Sequence, residues 1–277
     1  MNFKGRKLVI ATMHGKESVL SPILEKALGV ETIVPESFNT DLYGTFSGEI
    51  LREMDPLESA KAKCLDACRI VGCGLAVASE GSFGPHPTIY FTPANEEILV
   101  FMDLENDICV RARIVNLKTN FGAKTFTDWE TAAHFANSAR FPGHGLIISN
   151  QQRTQVKKGI QDWEILREYF NRNLRDYGSV VLETDMRAMY NPMRMAVIAE
   201  AGEKLVQSIL RICPHCSFLG YDVSKVNPGL TCAECRLPTK NTLSHTYTCQ
   251  KCNHTEEQLY PHEKRNENPR YCDYCNP

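Results

Sequence analysis

Four Cys-x-x-Cys pairs follow one another in the last quarter of the chain, and they limit its fold more than any other feature. The gaps between successive pairs are 15, 13 and 19 residues. Each tight turn presents two thiolates to one tetrahedral zinc ion, so two turns complete a four-cysteine site. Eight thiols in this pattern therefore predict two zinc sites. The cysteines are Cys213 with Cys216, Cys232 with Cys235, Cys249 with Cys252, and Cys272 with Cys275.

The order of the pairs leaves two ways of dividing them between two ions. Sequential pairing is the simplest: the first two pairs hold one ion and the last two hold the other. Interleaved pairing remains an open alternative. Four thiolates fill the coordination sphere of zinc and leave no position for water, so both ions are expected to be structural. The segment has few large apolar residues, and metal binding should supply most of its folding energy.

Disulfide bonds are the main alternative use of these cysteines. Residues 1–20 contain no signal peptide, and no apolar run reaches the ~18 residues that a membrane helix requires. The sequence therefore indicates a cytoplasmic protein that does not contact a membrane. Disulfides are reduced in that compartment, which favours zinc.

The charge balance gives no support to nucleic-acid binding. The whole chain has a formal net charge of −2 and an apolar content of 43%, which suits an ordinary globular core. Residues 211–277 contain eight Lys and Arg against seven Asp and Glu, and eight thiolates with two zinc ions make that segment negative. Zinc ribbons that bind nucleic acid need a basic surface, which this one lacks.

Upstream of the cysteines, predicted strands and helices alternate. Short apolar runs predict strands, and apolar residues at helical spacing predict helices. Predicted strands lie at 7–12, 30–34, 75–79, 88–92, 97–102, 108–115, 145–149 and 180–182. Predicted helices lie near 20–28, 56–71, 127–140, 161–175 and 191–212. The alternation indicates an α/β domain with a mixed sheet at 1–210, followed by a tandem zinc-ribbon segment at 211–277.

Two polar turns stand where α/β sheets bind ligands, beyond the carboxyl ends of strands. The first runs from Thr12 to Lys16 between a strand and a helix, where backbone amides and the lysine attract phosphate. The second follows Ser79 and places Glu80 at a strand end as a metal ligand or general base. The alternatives are an ordinary turn with a solvated lysine and an ordinary acidic turn.

A third polar segment contains Asp185, Arg187 and Arg194. Arg194 lies in the first turn of the helix that Asn191 and Pro192 begin, and a cation there opposes the helix dipole unless an anion lies between them. Arg187 is the second candidate arm of such a phosphate clamp, and Asp185 is a candidate to orient an arginine or bind metal. An internal ion-pair network is the alternative.

Residues 1–85 resemble the inosine triphosphate pyrophosphatase family, which hydrolyses non-canonical purine nucleoside triphosphates. The matching segments are Ala11-Thr12-Met13-His14-Gly15-Lys16, Glu58-Ser59-Ala60-Lys61-Ala62-Lys63 and Ala78-Ser79-Glu80-Gly81-Ser82. The resemblance implies that family's fold, phosphate contacts at Lys16 and Lys63, and Glu80 as a metal ligand or base. Ser79 and Glu80 replace the family's acidic pair, and Ser59 replaces its asparagine.

The whole chain is also similar to an uncharacterised bacterial family that ends in zinc ribbons. The similarity lies in Ala78 to Pro87, Thr184 to Ala188, Asn191 to Met195 and the cysteine pairs. This family has no known activity to transfer.

These observations lead to one main hypothesis and one rival. The main hypothesis is a phosphohydrolase that acts on a nucleotide or another phosphorylated small molecule. Mg²⁺ on Glu80 and a neighbouring carboxylate (Glu58, Glu49 or Asp185) would activate water, while Lys16, Lys63 and the two arginines neutralise the phosphates. The rival is a non-catalytic nucleotide or anion sensor whose ribbons bind a protein or nucleic acid. A homodimer held by the ribbons is a further possibility.

Overall fold

The computed structural model describes residues 2–36, 38–43, 54–86 and 92–277. The chain divides into two compact units. The larger consists of residues 3–107 and 111–206, and the smaller consists mainly of residues 207–277 with the short segment 108–110.

Five α-helices occur in the described residues. They are α1 (Glu17–Leu28), α2 (Pro56–Val71), α3 (Trp129–Ser138), α4 (Trp163–Tyr177) and α5 (Pro192–Leu210). Their ends follow ordinary capping chemistry. The Asp55 side chain accepts hydrogen bonds from two backbone amides at the start of α2, and Gly29 ends α1 in the left-handed conformation at φ 67°.

The first sheet of the larger unit is mixed, as the sequence predicts. Its strand order is β2-β1-β3-β4-β5, with β1 parallel to both β2 and β3, and β3 antiparallel to β4. Helix α2 packs against this sheet through Ala60, Cys64, Ala67 and Cys68, which are buried. The strands are β1 (Lys7–Ala11), β2 (Glu31–Ile33), β3 (Leu75–Pro85), β4 (Pro93–Asp103) and β5 (Ile108–Asn116).

A second sheet of the same unit is antiparallel in its described pairings and has the order β6-β9-β7-β8. Helices α3 and α4 pack against this sheet. The apolar core between the helices and the sheet includes Phe126, Leu146, Phe170 and Leu182. The strands are β6 (Ala123–Phe126), β7 (Leu146–Ser149), β8 (Val156–Ile160) and β9 (Val180–Thr184). Strands β6 and β8 are absent from the sequence prediction because both are short and carry exposed lysines instead of an apolar run.

The smaller unit contains a three-stranded antiparallel sheet of β10 (Asp222–Pro228), β11 (Thr242–Thr248) and β12 (Thr255–Leu259). The register pairs Asp222 with Thr248 at one end of the sheet and Ser244 with Leu259 at the other. The Cys-x-x-Cys pairs therefore lie at the two ends of this sheet.

The prediction of a turn from Ser79 to Pro85 is wrong. Strand β3 continues through these residues, and each of them pairs with a residue of β4. The segment has the composition of a turn because it contains two glycines and several polar residues, but an antiparallel partner supplies its backbone hydrogen bonds. Glu80 thus lies inside a strand and not at its end.

Smaller differences concern element ends. Helix α1 begins at Glu17 and includes Pro22, and Asp128 rather than Thr127 caps α3 by accepting a hydrogen bond from the Thr131 amide. The strand predicted at 88–92 falls almost entirely outside the described residues. No helix in the described part of the chain combines the length and the apolar character that crossing a bilayer requires.

Candidate functional site

The eight cysteines form two groups of four, and their pairing is interleaved. Cys213, Cys216, Cys249 and Cys252 make one group, and Cys232, Cys235, Cys272 and Cys275 make the other. The sequential pairing is therefore wrong. Strands β10 and β11 are antiparallel, so the start of β10 lies beside the end of β11, and the first cysteine pair meets the third. The second pair meets the fourth in the same way, where β11 begins and β12 ends.

The sulfur atoms have the spacing that a tetrahedral zinc ion needs. Facing Sγ atoms are 3.8 Å apart for Cys213 and Cys252 and 3.6 Å apart for Cys216 and Cys249. The second group repeats these distances. Zinc–sulfur bonds of ~2.3 Å in a tetrahedron place sulfurs roughly 3.8 Å apart. The donor set therefore fits two zinc ions, and none of the 12 cysteines forms a disulfide.

All four pairs share one turn geometry. The residue after the second cysteine donates its amide to the carbonyl of the first cysteine, for example Ser217 to Cys213 at 2.9 Å and Asn276 to Cys272 at 2.9 Å. In three of the turns this residue has a positive φ, between 57° and 64°. Such a turn brings both thiols to one side, which is the geometry of a zinc knuckle.

In the larger unit, β3 extends seven residues beyond its last partner in β1. The pairing of β1 with β3 ends at Ala11 and Ala78, whereas β3 runs to Pro85. The β1–α1 loop lies next to this uncovered edge, and Lys16 occupies it. The Lys16 ammonium donates to the Ser79 hydroxyl at 2.7 Å and to the Ser79 carbonyl at 3.3 Å.

Two ion pairs flank this lysine from the two faces of the sheet. Successive side chains of a strand point to opposite faces, so Ser79 and Glu80 diverge. On the α2 face, Lys63 pairs with Glu80, whose Oε1 also accepts the Ser59 hydroxyl at 3.0 Å. On the other face, Arg194 Nε donates to Glu97 Oε1 at 2.6 Å. We call Lys16, Lys63, Glu80, Glu97 and Arg194 the charged cluster.

Every residue of the charged cluster is buried, with residue exposures of 7% or less. Among the described residues, the cluster contains three cations and two carboxylates, so it has one positive charge in excess when Lys16 is protonated. Lys16 is the cation whose hydrogen bonds go to a serine and not to a carboxylate. The pKa of Lys16 is lowered to about 7, first because the ammonium is buried and second because the Arg194 guanidinium lies nearby.

Arg194 is held in place from three directions. Its guanidinium bonds Glu97 and the Met186 carbonyl, and it lies over the Phe83 ring at 5.1 Å. Its backbone amide donates to the Asn191 side chain at 3.0 Å, which confirms Asn191 as the cap of α5.

Asp185 and Arg187 form a pair of their own. The Asp185 carboxylate is fully buried and accepts from the Arg187 guanidinium at 2.6 Å and 3.0 Å, and from the Gly159 amide at 3.0 Å. The Arg187 guanidinium lies over the Tyr190 ring at 4.5 Å. The structure thus places Lys16, Lys63, Glu80 and Arg194 together and pairs Asp185 with Arg187.

The described carboxylates suggested as partners of Glu80 in binding Mg²⁺, Glu58 and Asp185, each pair with a different cation. Glu58 is exposed and pairs with Lys61, and Glu49 lies outside the described residues. Within the described ranges, the cysteine groups are the sets of three or more ligand side chains that converge as a metal site requires. The described residues therefore do not form a protein cage for Mg²⁺.

Two residues of this arrangement, Glu97 and Ser59, are not predicted from the sequence as site residues. Glu97 lies in an apolar strand, where its side chain points to the same face of β4 as those of Leu99 and Phe101. A carboxylate on an apolar face is the signal that identifies it. Ser59 was noted only as a replacement for asparagine in the resemblance, yet it bonds Glu80.

Gly81 has no side chain, and the Arg194–Glu97 pair occupies the space where a Cβ would lie. A Cβ on Gly81 would lie 2.6 Å from Glu97 Oε1 and closer still to the Arg194 guanidinium. We expect Gly81→Ala to displace the pair and lower the free energy of unfolding by about 1–3 kcal/mol, the usual cost of overpacking. Urea unfolding followed by tryptophan fluorescence measures this, because Trp129 and Trp163 both lie in the larger unit.

The matched control for that substitution is Gly84→Ala on the same strand. No atom of the described residues lies within 4 Å of a Cβ at Gly84. This variant should unfold like the wild type. Equal losses for the two variants would show that the glycines matter for strand formation and not for space around Arg194.

A protein-family model described as a domain of unknown function (DUF6671) matches residues 63–277, which is more than half of the chain. The matched range contains all eight zinc-type cysteines, Glu80, Glu97 and Arg194, and it begins at Lys63. No curated protein matches the chain.

Proposed function

This chain belongs to the DUF6671 family, whose function is unknown, and we propose that its charged cluster binds and hydrolyses a phosphorylated small molecule. The excess buried cation supports this proposal most directly. A buried ammonium without a carboxylate partner costs free energy, and an anionic ligand beside it offsets that cost. The cluster also adjoins the carboxyl end of β1, the usual location of ligands in α/β sheets.

Each member of the charged cluster has a role in this reaction. Lys16, Lys63 and Arg194 neutralise the phosphate oxygens, where charge increases in the transition state. Glu80 accepts a proton from water, the water oxygen bonds to phosphorus, and the phosphoanhydride oxygen leaves with its electron pair. Glu97 holds Arg194 in position. Asp185 and Arg187 fix the loop whose Met186 carbonyl accepts a hydrogen bond from Arg194.

Two kinds of metal ion belong to the proposed function. We assign zinc to the two four-cysteine groups, because soft thiolates in a tetrahedral arrangement favour it. Mg²⁺ usually reaches phosphate sites together with the substrate and keeps several waters, so it does not need a protein cage. The activity assay should therefore be run with and without Mg²⁺.

Turnover of phosphorylated substrates tests catalysis. We expect the protein to release phosphate or pyrophosphate from a panel of nucleoside triphosphates and sugar phosphates, and Glu80→Gln to lower kcat by about 10²–10⁴-fold, the typical contribution of a general base. Glu96→Gln is the matched control. Glu96 lies on β4 and pairs with Arg113 outside the charged cluster, so this variant should keep wild-type turnover. Equal activity of both variants contradicts the role of Glu80.

The lowered pKa of Lys16 predicts how anion binding depends on pH. Sulfate keeps its charge across neutral pH, so it reports on the protein alone. Bound sulfate favours the charged ammonium, which the free protein retains only below about pH 7. Affinity should therefore fall by up to about tenfold per unit as the pH rises above 7, since binding then requires the uptake of one proton.

Calorimetric titration with sulfate from pH 6 to pH 9 measures this dependence. In Lys16→Arg the cation stays charged throughout, so its profile should be flat. A flat wild-type profile contradicts a role for Lys16 in binding the anion.

The second candidate is a non-catalytic sensor of a nucleotide or another anion. It is favoured by the fact that both carboxylates of the charged cluster already bond cations, Glu80 to Lys63 and Glu97 to Arg194. Sulfate binding without turnover of any substrate supports this candidate. The zinc ribbons would then dock a protein or a second copy of the chain, and light scattering with and without a chelator detects the homodimer.

A further inference from the structure

A cavity of about 580 Å³ opens at the carboxyl ends of β1 and β2. Thr12, Gly15 and Glu17 line one side of it, and Glu36 and Phe38 line the other. Lys16 stands between two of these lining residues in the chain, while its ammonium bonds Ser79. The volume lies in the range that holds one small molecule, and the loop around Lys16 is common to the cavity and the charged cluster.

The charges of the cavity differ in sign from the excess charge of the cluster. Among the described lining residues, the charged ones are Glu17 and Glu36, both acids. Carboxylates repel phosphate, so the phosphates of a ligand belong at the charged cluster and a different part of the ligand belongs in the cavity. The two sites therefore fix the direction in which a phosphorylated ligand lies.

The remaining lining defines the kind of group that fits. Phe38 is buried with 6% exposure, and Val34 and Pro35 add apolar surface beside it. Such a wall suits the face of a planar ring. Ionised carboxylates accept hydrogen bonds and cannot donate them, so Glu17 and Glu36 favour a ring edge that presents N–H donors.

We propose that this cavity holds a planar ring with N–H donors, joined to the phosphates at the charged cluster, and that Glu17 and Glu36 select for those donors. The inference rests on the proposed function, because the charged cluster has to hold the phosphates. It adds the substrate class, a nucleotide with an amino-bearing base, and two residues that determine specificity.

The test compares GTP with purine-riboside triphosphate by calorimetry on the full chain. Both have a purine ring, a ribose and three phosphates, but the ring of the second has no N–H donor. We expect GTP to bind at least about tenfold more tightly, as for a hydrogen bond to a charged acceptor. Glu36→Ala and Glu17→Ala should each reduce that ratio, whereas Glu31→Ala, at an exposed acid of β2 outside the cavity, should preserve it.

Inorganic triphosphate separates failure of this inference from failure of the proposed function. If inorganic triphosphate binds to every variant but the two nucleotides bind equally well, the cavity does not select N–H donors and the inference is overturned. If inorganic triphosphate does not bind to the wild type, both proposals are overturned. A GTP preference that survives both cavity substitutions also overturns the assignment of Glu17 and Glu36.

Discussion

A protein in which Cys213 and Cys249 are both replaced by serine should retain one zinc ion per chain, while the wild type holds two. Both cysteines belong to the same interleaved group, so the double substitution destroys one site and leaves Cys232, Cys235, Cys272 and Cys275 intact. Metal analysis of purified, dialysed protein measures the stoichiometry.

The double variant Cys213→Ser with Cys232→Ser is the matched comparison. Its two substitutions fall in different groups, so it should hold no tightly bound zinc. Sequential pairing predicts the opposite result for the two variants, namely no zinc in the first and one ion in the second. That reversal would falsify the interleaved arrangement.

Loss of the metal should also unfold the smaller unit. Binding of structural zinc contributes about 10–16 kcal/mol in small zinc domains, far more than the few apolar contacts around Tyr221 and Tyr247 supply here. We expect a strong chelator to remove hydrogen-exchange protection from the amides of β10, β11 and β12. Protection that persists after complete metal removal would show that the sheet is stable without zinc.

Replacing Glu97 by glutamine should cause the largest loss of stability in the larger unit. The side chains of Glu97 and Arg194 are both fully buried, and the substitution removes the negative charge that Glu97 places against the guanidinium. Breaking a buried pair from one side typically costs about 3–5 kcal/mol. Urea unfolding followed by the fluorescence of Trp129 and Trp163 reports on this unit.

Glu183→Gln is the matched control for that substitution. Glu183 pairs with Arg153, but these side chains are 22% and 35% exposed, so the loss should be below ~1 kcal/mol. Replacing Arg194 by methionine together with Glu97→Leu removes both charges and should recover much of the stability. If the double variant is no more stable than Glu97→Gln, uncompensated charge is not the cause of the loss.

The features that the sequence predicts well are local. The limits of α2 follow from its apolar spacing, with Asp55 and Pro56 at its start, and the Asn191 cap fixes the start of α5. The presence of two four-cysteine sites follows from the spacing within each pair, but the membership of each site does not. In each case the residues that decide the structure lie within a few positions of one another.

The features that the sequence does not predict depend on strand pairing. The interleaved grouping arises because β10 and β11 run antiparallel, which the cysteine spacing alone does not encode. Similarly, Ser79 to Pro85 forms a strand because β4 lies beside it. Glu97 is not predicted as a site residue because its partner, Arg194, is 97 positions away in the chain.

The interleaving of the cysteines has a consequence for how this segment is synthesised and inherited. The first group spans residues 213–252 and the second spans 232–275, so the two loops overlap between 232 and 252. During translation neither ion can be fully enclosed before Cys252 has emerged from the ribosome. A recombination breakpoint or a protease cut inside the overlap severs both loops at once, so the two metal sites are lost together there.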